Sequence, residues 1–328
     1  MFSLNKKSSI NLPLIGVGLR HDHFNDALNS PANIDFIEVH AENFFADGGA
    51  SHAVLSEISQ HYQVSLHATS LGLGSAVPPP KKQLEQLTSL VKRYQPILLS
   101  DHACFSWAEV SGVKTHAGDL LPVPFNDDSL SIMVANVKRA QQHLGRNILV
   151  ENLSAYLELP GSTYDEAEFL VKLCQQSGCK LLVDLNNLTV NAINRPLLNA
   201  QFTENNLTTI STLQHAKQWL DKIPAEFVGE IHLAGCTQVS DGELMIDDHS
   251  QPVSDDVWHL YRYALQSFGP VATLIEWDES LPSWQTLIAE AEKARVIAIN
   301  VLSAASTISS AMYKTRCVNA VKVSNYVD

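Results

Sequence analysis

Ile148-Leu149-Val150-Glu151-Asn152 is a short apolar run that ends abruptly in a carboxylate and an amide. The same event recurs along the chain, where most apolar runs are followed at once by His, Asp, Glu or Asn. The other runs lead to His40, His67, His102, Asp184, His232 and Glu276. Continuous apolar runs are typical of strands buried on both faces. Polar residues at the ends of nearly all strands would meet on one rim, as in the active site of a (β/α)8 barrel.

Eight such strands are predicted to begin near residues 14, 35, 63, 97, 147, 180, 227 and 271. Most of the spacings leave room for a helix and two loops, as βα units require. No repeat or low-complexity linker divides the chain. We therefore predict the α/β class and a (β/α)8 TIM barrel as one domain, residues 1–328. The barrel itself would cover about 14–300, and a C-terminal appendage about 301–328.

The helices carry their own start and stop signals. Thr163 with Glu166 three residues later is the pattern of a capping box, and Gly178 is expected to end that helix. Ser254 and Gly269 bound a second clear case.

Two connections are too long for simple crossovers, namely residues 104–126 after the fourth strand and 236–252 after the seventh. Long βα loops on the catalytic face usually shape the access of substrate. The second loop contains Asp247 and His249, two residues apart, which can chelate one ion from an extended segment.

The formal charge of −13 and the pI near 5.4 argue against nucleic acid or an anionic membrane as a partner. No apolar stretch is long enough for a membrane span, and no signal-peptide pattern follows Met1. The five cysteines form no CxxC pair, which fits reduced thiols in a cytoplasm.

Imidazole nitrogens and carboxylate oxygens suit divalent zinc, manganese or iron, and the absence of thiolates is unlike structural zinc. The predicted ligands form three groups, which are His67, His102 and Glu151 for one ion, Glu151, Asp184, His232 and Glu276 for a second, and Asn187, Asp247 and His249 for a third. Singly, a strand-end His is more often structural, and Asp101, Asn152 or Asn186 would serve as caps or turn formers. Together, so many carboxylates on one rim would repel one another unless cations offset their charge.

Several segments resemble a known family. They are Gly16-Val17-Gly18-Leu19-Arg20, Glu38-Val39-His40-Ala41-Glu42-Asn43, Ser100-Asp101-His102, Glu151-Asn152, Leu182-Val183-Asp184-Leu185-Asn186-Asn187, Glu230-Ile231-His232-Leu233-Ala234-Gly235 and Leu274-Ile275-Glu276-Trp277-Asp278. Between about residues 14 and 290 the chain is similar to the DUF692 (UPF0276) family of multinuclear non-haem iron-dependent oxidases, which includes the catalytic subunit of methanobactin biosynthesis.

The resemblance implies a barrel of the endonuclease IV/xylose isomerase type with two or three irons of mixed valence, held by the nine residues above. It further implies O2-dependent oxidation of a cysteine in a ribosomally synthesised precursor peptide, with a small partner protein that recognises the leader. Asp101 and Glu42 are the candidates for catalytic proton handling near that site.

Three positions depart from the family pattern. Cys236 stands where a His is usual, Arg195 follows Asn194 where a His is usual, and Ser250-Gln251 replaces an Asp-His pair. Two other functions therefore stay open. One is a divalent-metal hydrolase or isomerase for a sugar or phosphate ester that uses metal-bound hydroxide. The other is a metal-dependent peptide-binding subunit without turnover.

Overall fold

In a computed structural model of the chain, the eight predicted strands close into a parallel barrel. The structure describes residues 11–157, 159–199, 211–240 and 243–323. In chain order the strands are β1 (Ile15–Gly18), β2 (Phe36–His40), β3 (Gln63–His67), β4 (Leu98–His102), β5 (Phe105–Val110), β6 (Val113–Leu121), β7 (Leu149–Glu151), β8 (Lys180–Asp184), β9 (Val228–Leu233), β10 (Thr237–Gln238), β11 (Met245–Ile246) and β12 (Ala272–Ile275). Around the barrel their order is β1-β12-β9-β8-β7-β4-β3-β2. The predicted fold class is confirmed.

The register of the strands brings their carboxyl ends to one rim. His102 is the direct partner of Glu151 across β4 and β7, and Asp184 is the partner of His232 across β8 and β9. Side chains alternate between the two faces of a strand, so every second residue points into the barrel. Predicted ligands from different strands therefore share the upper part of the barrel interior.

Helices cover the outside of the barrel. They are α1 (Phe24–Asn29), α2 (Ala50–Ile58), α3 (Lys81–Tyr94), α4 (Asp127–Leu144), α5 (Glu166–Ser177), α6 (Leu185–Asn199), α7 (Thr212–Leu220), α8 (Asp255–Phe268) and α9 (Trp284–Val323), with short 3-10 turns at His21–His23, Ala41–Phe44 and Ala225–Phe227. Their apolar faces and the outward-facing strand residues form one continuous buried core. This core fixes the strand ends relative to one another.

The helix signals of the sequence are largely reproduced. Ser254 caps α8 through its side chain, and Gly178 ends α5 in the left-handed conformation that glycine favours. The predicted capping box at Thr163 is wrong. Asp165 is the cap of α5, because its side chain accepts the backbone N–H of Glu168 at 3.0 Å. The backbone N–H of Thr163 instead donates to Phe125 at 2.8 Å.

Both long connections contain a small antiparallel hairpin that the sequence did not reveal. β5 and β6 form one after β4, and β10 and β11 form the other after β9. At the end of the chain, α9 continues through residue 300 without a break. The separate C-terminal appendage and the single-domain organisation stay predictions. Among the described helices, none combines the length and hydropathy required to cross a membrane.

Gly235 lies just after β9, where the loop leaves the barrel, and the returning end of the same loop packs against it at Gln251 and Pro252. A Cβ atom there would collide with the backbone carbonyl oxygens of Gln251 and Pro252. Glycine is required where two backbones approach this closely. The returning segment carries Asp247 and His249, so this contact also sets their position.

Gly235→Ala is expected to lower the free energy of unfolding by about 1–3 kcal/mol, because the backbone has to move to admit the methyl group. Urea unfolding followed by circular dichroism measures the loss. Gly48→Ala is the matched control, since a Cβ there meets no atom within 4 Å. Equal stability of the two variants would contradict this account of Gly235.

Candidate metal centre

His67, His102 and Glu151 come together at the ends of β3, β4 and β7. Oε2 of Glu151 lies 3.5 Å from Nε2 of His67 and 3.3 Å from Nε2 of His102. The two imidazole centroids are 4.6 Å apart, and all three side chains are buried. The Ser100 hydroxyl lies 2.7 Å from Nδ1 of His67, so Nε2 is left to face the carboxylate. Two nitrogens and an oxygen in this arrangement suit one divalent ion.

Glu151 also belongs to a second group with Asp184 and His232, whose ligand atoms lie within 4.8 Å of one another. Asp184 is the last residue of β8, and α6 begins at the next residue. Its Oδ1 accepts the backbone N–H of Asn187 at 2.6 Å, so it caps the helix while Oδ2 stays available. Oε2 of Glu276 approaches the group at 2.9 Å from Nδ1 of His232.

The residues predicted for a third ion lie beside the second group. Nε2 of His249 is 2.8 Å from Oδ1 of Asp247, and its Nδ1 is 3.4 Å from Oε2 of Glu276. The structure thereby joins His249 to Asp184 and Glu276 in one further group. The side-chain amide of Asn187 donates to the carbonyl of Asn152 at 2.9 Å, and its Oδ1 is buried. The third group therefore overlaps the second.

Arg20 lies against the candidate site and was not among the predicted site residues. Its guanidinium lies between Asp278, Glu276 and His40, with Nη2 at 3.3 Å from Oε1 of Glu276 and 3.1 Å from Nε2 of His40. Its Nε donates to Asp278 at 2.8 Å. His40, Glu276 and Asp278 also have the spacing of a metal group, but a fixed cation already stands there. No ion is assigned to that triad.

Two further carboxylates lie one layer deeper in the barrel than the predicted ligands. Glu38 precedes His40 by two residues in β2, and Glu230 precedes His232 by two residues in β9. Both are fully buried. Their Oε1 atoms lie 3.5 Å and 3.8 Å from Nε2 of His232. The period of two along a strand would have revealed them, whereas attention to the last residue alone did not.

The buried carboxyl groups repel one another and are shielded from bulk solvent. Burial and the neighbouring acids raise the pKa of Glu38 to about 8, and burial raises the pKa of Asp184 to about 7. Burial also raises the pKa of Glu151 well above its usual range. Burial lowers the pKa of His102 to about 4. The charges of Glu38 and Glu276 outweigh burial at His232 and raise its pKa well above the usual range.

Unpartnered polar atoms test whether the site suits a metal ion. Several buried atoms at the rim and just below it have no hydrogen-bond partner within the described chain, namely Oε2 of Glu151, Oδ2 of Asp184, Oδ1 of Asn187, Nε2 of His232 and Oε1 of Glu38. Each such atom costs about 1–3 kcal/mol if left unpaired. A divalent cation at the rim would use the free oxygens of Glu151, Asp184 and Asn187 and would offset the carboxylate charge. The residues present therefore fit a metal with nitrogen and oxygen ligands.

Asp101 and Glu42 differ in whether both of their carboxyl oxygens accept a hydrogen bond. Asp101 is fully buried, and its two oxygens accept the backbone N–H groups of Leu71 at 3.0 Å and His102 at 2.6 Å. Glu42 accepts the backbone N–H of Thr69 through Oε1, whereas its buried Oε2 has no partner within the described chain. Burial, with Glu42 nearby, raises the pKa of Asp101 well above its usual range. Of the two, Glu42 is the one with a carboxyl oxygen to spare.

The three departures from the family pattern lie in different surroundings. Cys236 is half-buried, and burial with the nearby Asp247 raises the pKa of its thiol to about 11. Arg195 is exposed and contacts His215 at 2.9 Å. Gln251 is also exposed. Neither exposed residue joins the candidate metal groups, which keep all their nitrogen and oxygen ligands.

The barrel is closed and parallel, and it carries imidazoles and carboxylates at the carboxyl ends of its strands. The protein is therefore a TIM-barrel protein with a candidate metal centre. Within this class, the chain belongs to the RiPP precursor modification enzyme family MbnB/TglH/ChrH, which it matches over residues 14–299. RiPPs are ribosomally synthesised and post-translationally modified peptides.

Curated relatives support this membership. The chain is 39% identical over 287 residues to a UPF0276 protein of Vibrio parahaemolyticus, an alignment that covers 87% of this chain and 92% of the relative. It is 40% identical over 282 residues to a UPF0276 protein of Chromobacterium violaceum, with 86% and 94% covered. The predicted UPF0276 resemblance is confirmed.

Solved structures agree on the fold. Endonuclease IV from Thermus thermophilus is similar with a TM-score of 0.52 at 13% identity, covering 88% of this chain and 99% of that one. A xylose isomerase-like TIM barrel from Mycobacterium smegmatis has a TM-score of 0.51 at 11% identity, with 85% and 87% covered. The predicted barrel type is confirmed.

Glu151→Gln is expected to remove bound metal from both groups that share this carboxylate, because the amide keeps the shape but not the charge. Metal per chain, measured by mass spectrometry after purification without oxygen, is the readout. Glu166→Gln is the matched control, since that carboxylate bonds Trp219 at 2.9 Å on the outside of the barrel. Full metal content in the Glu151 variant would exclude the shared ligand.

The metal-free protein is expected to lose stability as the pH rises from 6.5 to about 8. Glu38 and Asp184 have folded pKa values above their unfolded values, so the folded state retains protons that the unfolded state has released. The raised pKa of His232 acts in the same direction. The lowered pKa of His102 adds stability only up to 6.5, below this window. Each group changes the stability by at most about 1.4 kcal/mol per pH unit.

Melting temperatures of chelator-treated protein at several pH values across that window test the sign. Metal-loaded protein serves as the comparison, because a bound cation keeps the carboxylates charged in the folded state. A metal-free melting temperature that rises through the window would contradict the predicted direction.

Proposed function

We propose that this RiPP-modifying enzyme is a multinuclear non-haem iron oxidase that uses O2 to modify a cysteine of its precursor peptide. Family membership supports the peptide substrate. The observation that carries the metal assignment is the set of overlapping buried groups around Glu151 and Glu276, with ligand atoms left unpartnered in the described chain.

Two or three irons of mixed valence would occupy these groups. The ligands would be His67, His102 and Glu151 for the first, Glu151, Asp184, His232 and Glu276 for the second, and Asn187, Asp247 and His249 for the third. Neutral imidazoles with carboxylates and no thiolate suit non-haem iron. When bound, iron would supply a Lewis-acidic position for the substrate thiolate and electrons for the reduction of O2.

The chain's own residues orient these ligands. Ser100 fixes the ring of His67, and Arg20 holds Glu276 and Asp278 through charge-assisted hydrogen bonds. Arg20 is also a permanent cation at the edge of the site, which favours the charged form of Glu276. Together they keep the ligand set in place before a substrate arrives.

Proton handling would fall to Glu42, with Asp101 behind it. The spare Oε2 of Glu42 can take a proton from an incoming thiol, because thiolate is the form that binds a metal. Asp101, whose pKa is raised by burial and by Glu42, would hold a proton close to that carboxylate. Both assignments are proposals about catalytic roles.

The substrate would approach from the rim that carries the long loops. The β5–β6 hairpin projects from the end of β4, directly after the ligand His102, and its tip exposes Val110 and Val113. A small leader-recognising partner protein would present the precursor to this rim. A reducing cytoplasm is the proposed compartment, since the substrate thiol has to stay reduced until it reacts.

Protein purified without oxygen after growth in iron-supplemented medium is expected to contain two or more irons per chain. Mass spectrometry gives the metal content, and a Mössbauer spectrum of the same sample gives the valence. Coexpression with a cysteine-containing peptide encoded beside the gene should change the peptide's mass only in the presence of O2. The same peptide with Cys replaced by Ser is the control.

Other outcomes would select the other functions. Stoichiometric zinc or manganese with O2-independent turnover would favour a metal hydrolase or isomerase. Tight binding of the peptide without any O2 uptake would favour a non-catalytic binding subunit. Either result would overturn the proposed oxidase.

A further inference from the structure

The three histidines of the first two groups differ in what holds the ring nitrogen that faces away from the ligands. Nδ1 of His67 contacts the neutral hydroxyl of Ser100 at 2.7 Å. Nδ1 of His102 is buried without a hydrogen-bond partner in the described chain. At His232, by contrast, Nε2 points down the barrel toward the carboxylates of Glu38 and Glu230 at 3.5 Å and 3.8 Å.

We propose that Glu38 and Glu230 are positioning residues that fix His232 as the Nε2–H tautomer and thereby strengthen metal binding through Nδ1. The inference rests on the proposed metal centre and concerns its second group alone. Nδ1 is assigned to the ion because it lies beside Glu276, a proposed ligand of the same group; in the metal-free chain Nδ1 hydrogen-bonds Oε2 of Glu276 at 2.9 Å, and the ion would replace that contact. The two nitrogens of one ring point in different directions, so Nε2 is left for the buried pair.

The pair is closed off from solvent, and Glu38 also has the spacing of a metal group with His232 and Glu276, which is the alternative that the tests below separate. Glu38, Glu230 and His232 are all 0% exposed, so bulk water does not compete for the contact between Nε2 and the two carboxyl groups. Oε2 of Glu38 accepts the Ser65 hydroxyl at 2.8 Å, while its Oε1 and both oxygens of Glu230 have no partner within the described residues. Of these free oxygens, Oε1 of Glu38 and Oε1 of Glu230 lie beside Nε2 of His232.

A carboxylate behind a ligating imidazole fixes the ring and increases its basicity, and loss of such a partner typically costs about 10–100-fold in metal affinity. Among the residues that the structure describes, no carboxylate stands behind His67 or His102 in this way. Neutralising the pair should therefore weaken the group of Glu151, Asp184 and His232 and leave the group of His67 and His102 unchanged.

Anaerobic Co2+ titration against a competing chelator tests this with Glu38→Gln, Glu230→Gln and the double variant. In the His67→Ala background the first group lacks a ligand, so the titration measures Co2+ binding by the second group. In the Asp184→Ala background the second group lacks a ligand, so the titration measures Co2+ binding by the first group. We expect about 10–100-fold weaker Co2+ binding in the His67→Ala background and no change in the Asp184→Ala background. Glu166→Gln should change neither.

Structural damage has a different signature. Removal of two repelling buried carboxylates should leave the melting temperature of the metal-free protein unchanged or higher. A lower metal-free melting temperature with unchanged Co2+ affinity would mean that the pair is only structural, and equal weakening in both backgrounds would also overturn the proposal. A wild-type protein that binds no Co2+ would instead remove the proposed metal centre itself.

The wild-type protein offers a test that no folding defect can obscure. In Zn2+-loaded protein with 15N-labelled histidine, long-range 15N–1H spectra should show His232 with Nδ1 bound to metal and a slowly exchanging Nε2–H. His232→Asn identifies the signal. Metal bound through Nε2 of His232 would overturn the assignment and place an ion between Glu38 and Glu230 instead.

Discussion

Electrostatic repulsion among carboxylates inside a closed barrel is the constraint on which this site depends. Glu151, Asp184 and Glu276 extend from different strands into a space that the core seals from water, and Glu38 and Glu230 lie beneath them. Charge in a low-dielectric interior is tolerated only when it is paired, neutralised by a proton or bound to a cation. In the metal-free chain, protons do much of this work, as the raised pKa values of Glu38 and Asp184 indicate. Metal ions would replace those protons.

At one edge of the site, an arginine side chain of the protein itself offsets the carboxylate charge. Arg20 stands among His40, Glu276 and Asp278, a triad that would otherwise suit an ion. A guanidinium stays charged at any physiological pH and directs several N–H groups in a fixed plane. It therefore fixes Glu276 permanently, whereas an exchangeable ion would not.

The sequence was sufficient for the barrel because runs such as Leu181-Leu182-Val183 are too apolar for strands with an exposed face, and the polar residue that follows each run marks its end. It was also sufficient to predict that His67, His102 and Glu151 lie close together, because the last residues of parallel strands lie on the same rim. It did not reveal the two hairpins, because β6 and the end of β5 are mostly exposed and carry no buried apolar run, whereas β10 and β11 are only two residues long. Nor did it place the cap at Asp165, because Asp165 with Glu168 three residues later has the same spacing as Thr163 with Glu166, and the structure uses the former while the backbone N–H of Thr163 donates to Phe125.

Arg20, Glu38 and Glu230 escaped for a different reason. Glu38 and Glu230 lie two residues before His40 and His232, inside their strands, whereas only residues near the strand ends were considered as ligands; Arg20 lies beyond the end of β1 and is a cation, which is not a metal-ligand type. The same alternation places Asp101, which neighbours His102 but faces the opposite way and accepts the backbone N–H of Leu71. Adjacent residues on one strand thus serve opposite sides of the barrel wall. A proposed metal ligand and a residue that holds the neighbouring loop can therefore be adjacent in the sequence, because consecutive side chains of a strand point to opposite faces.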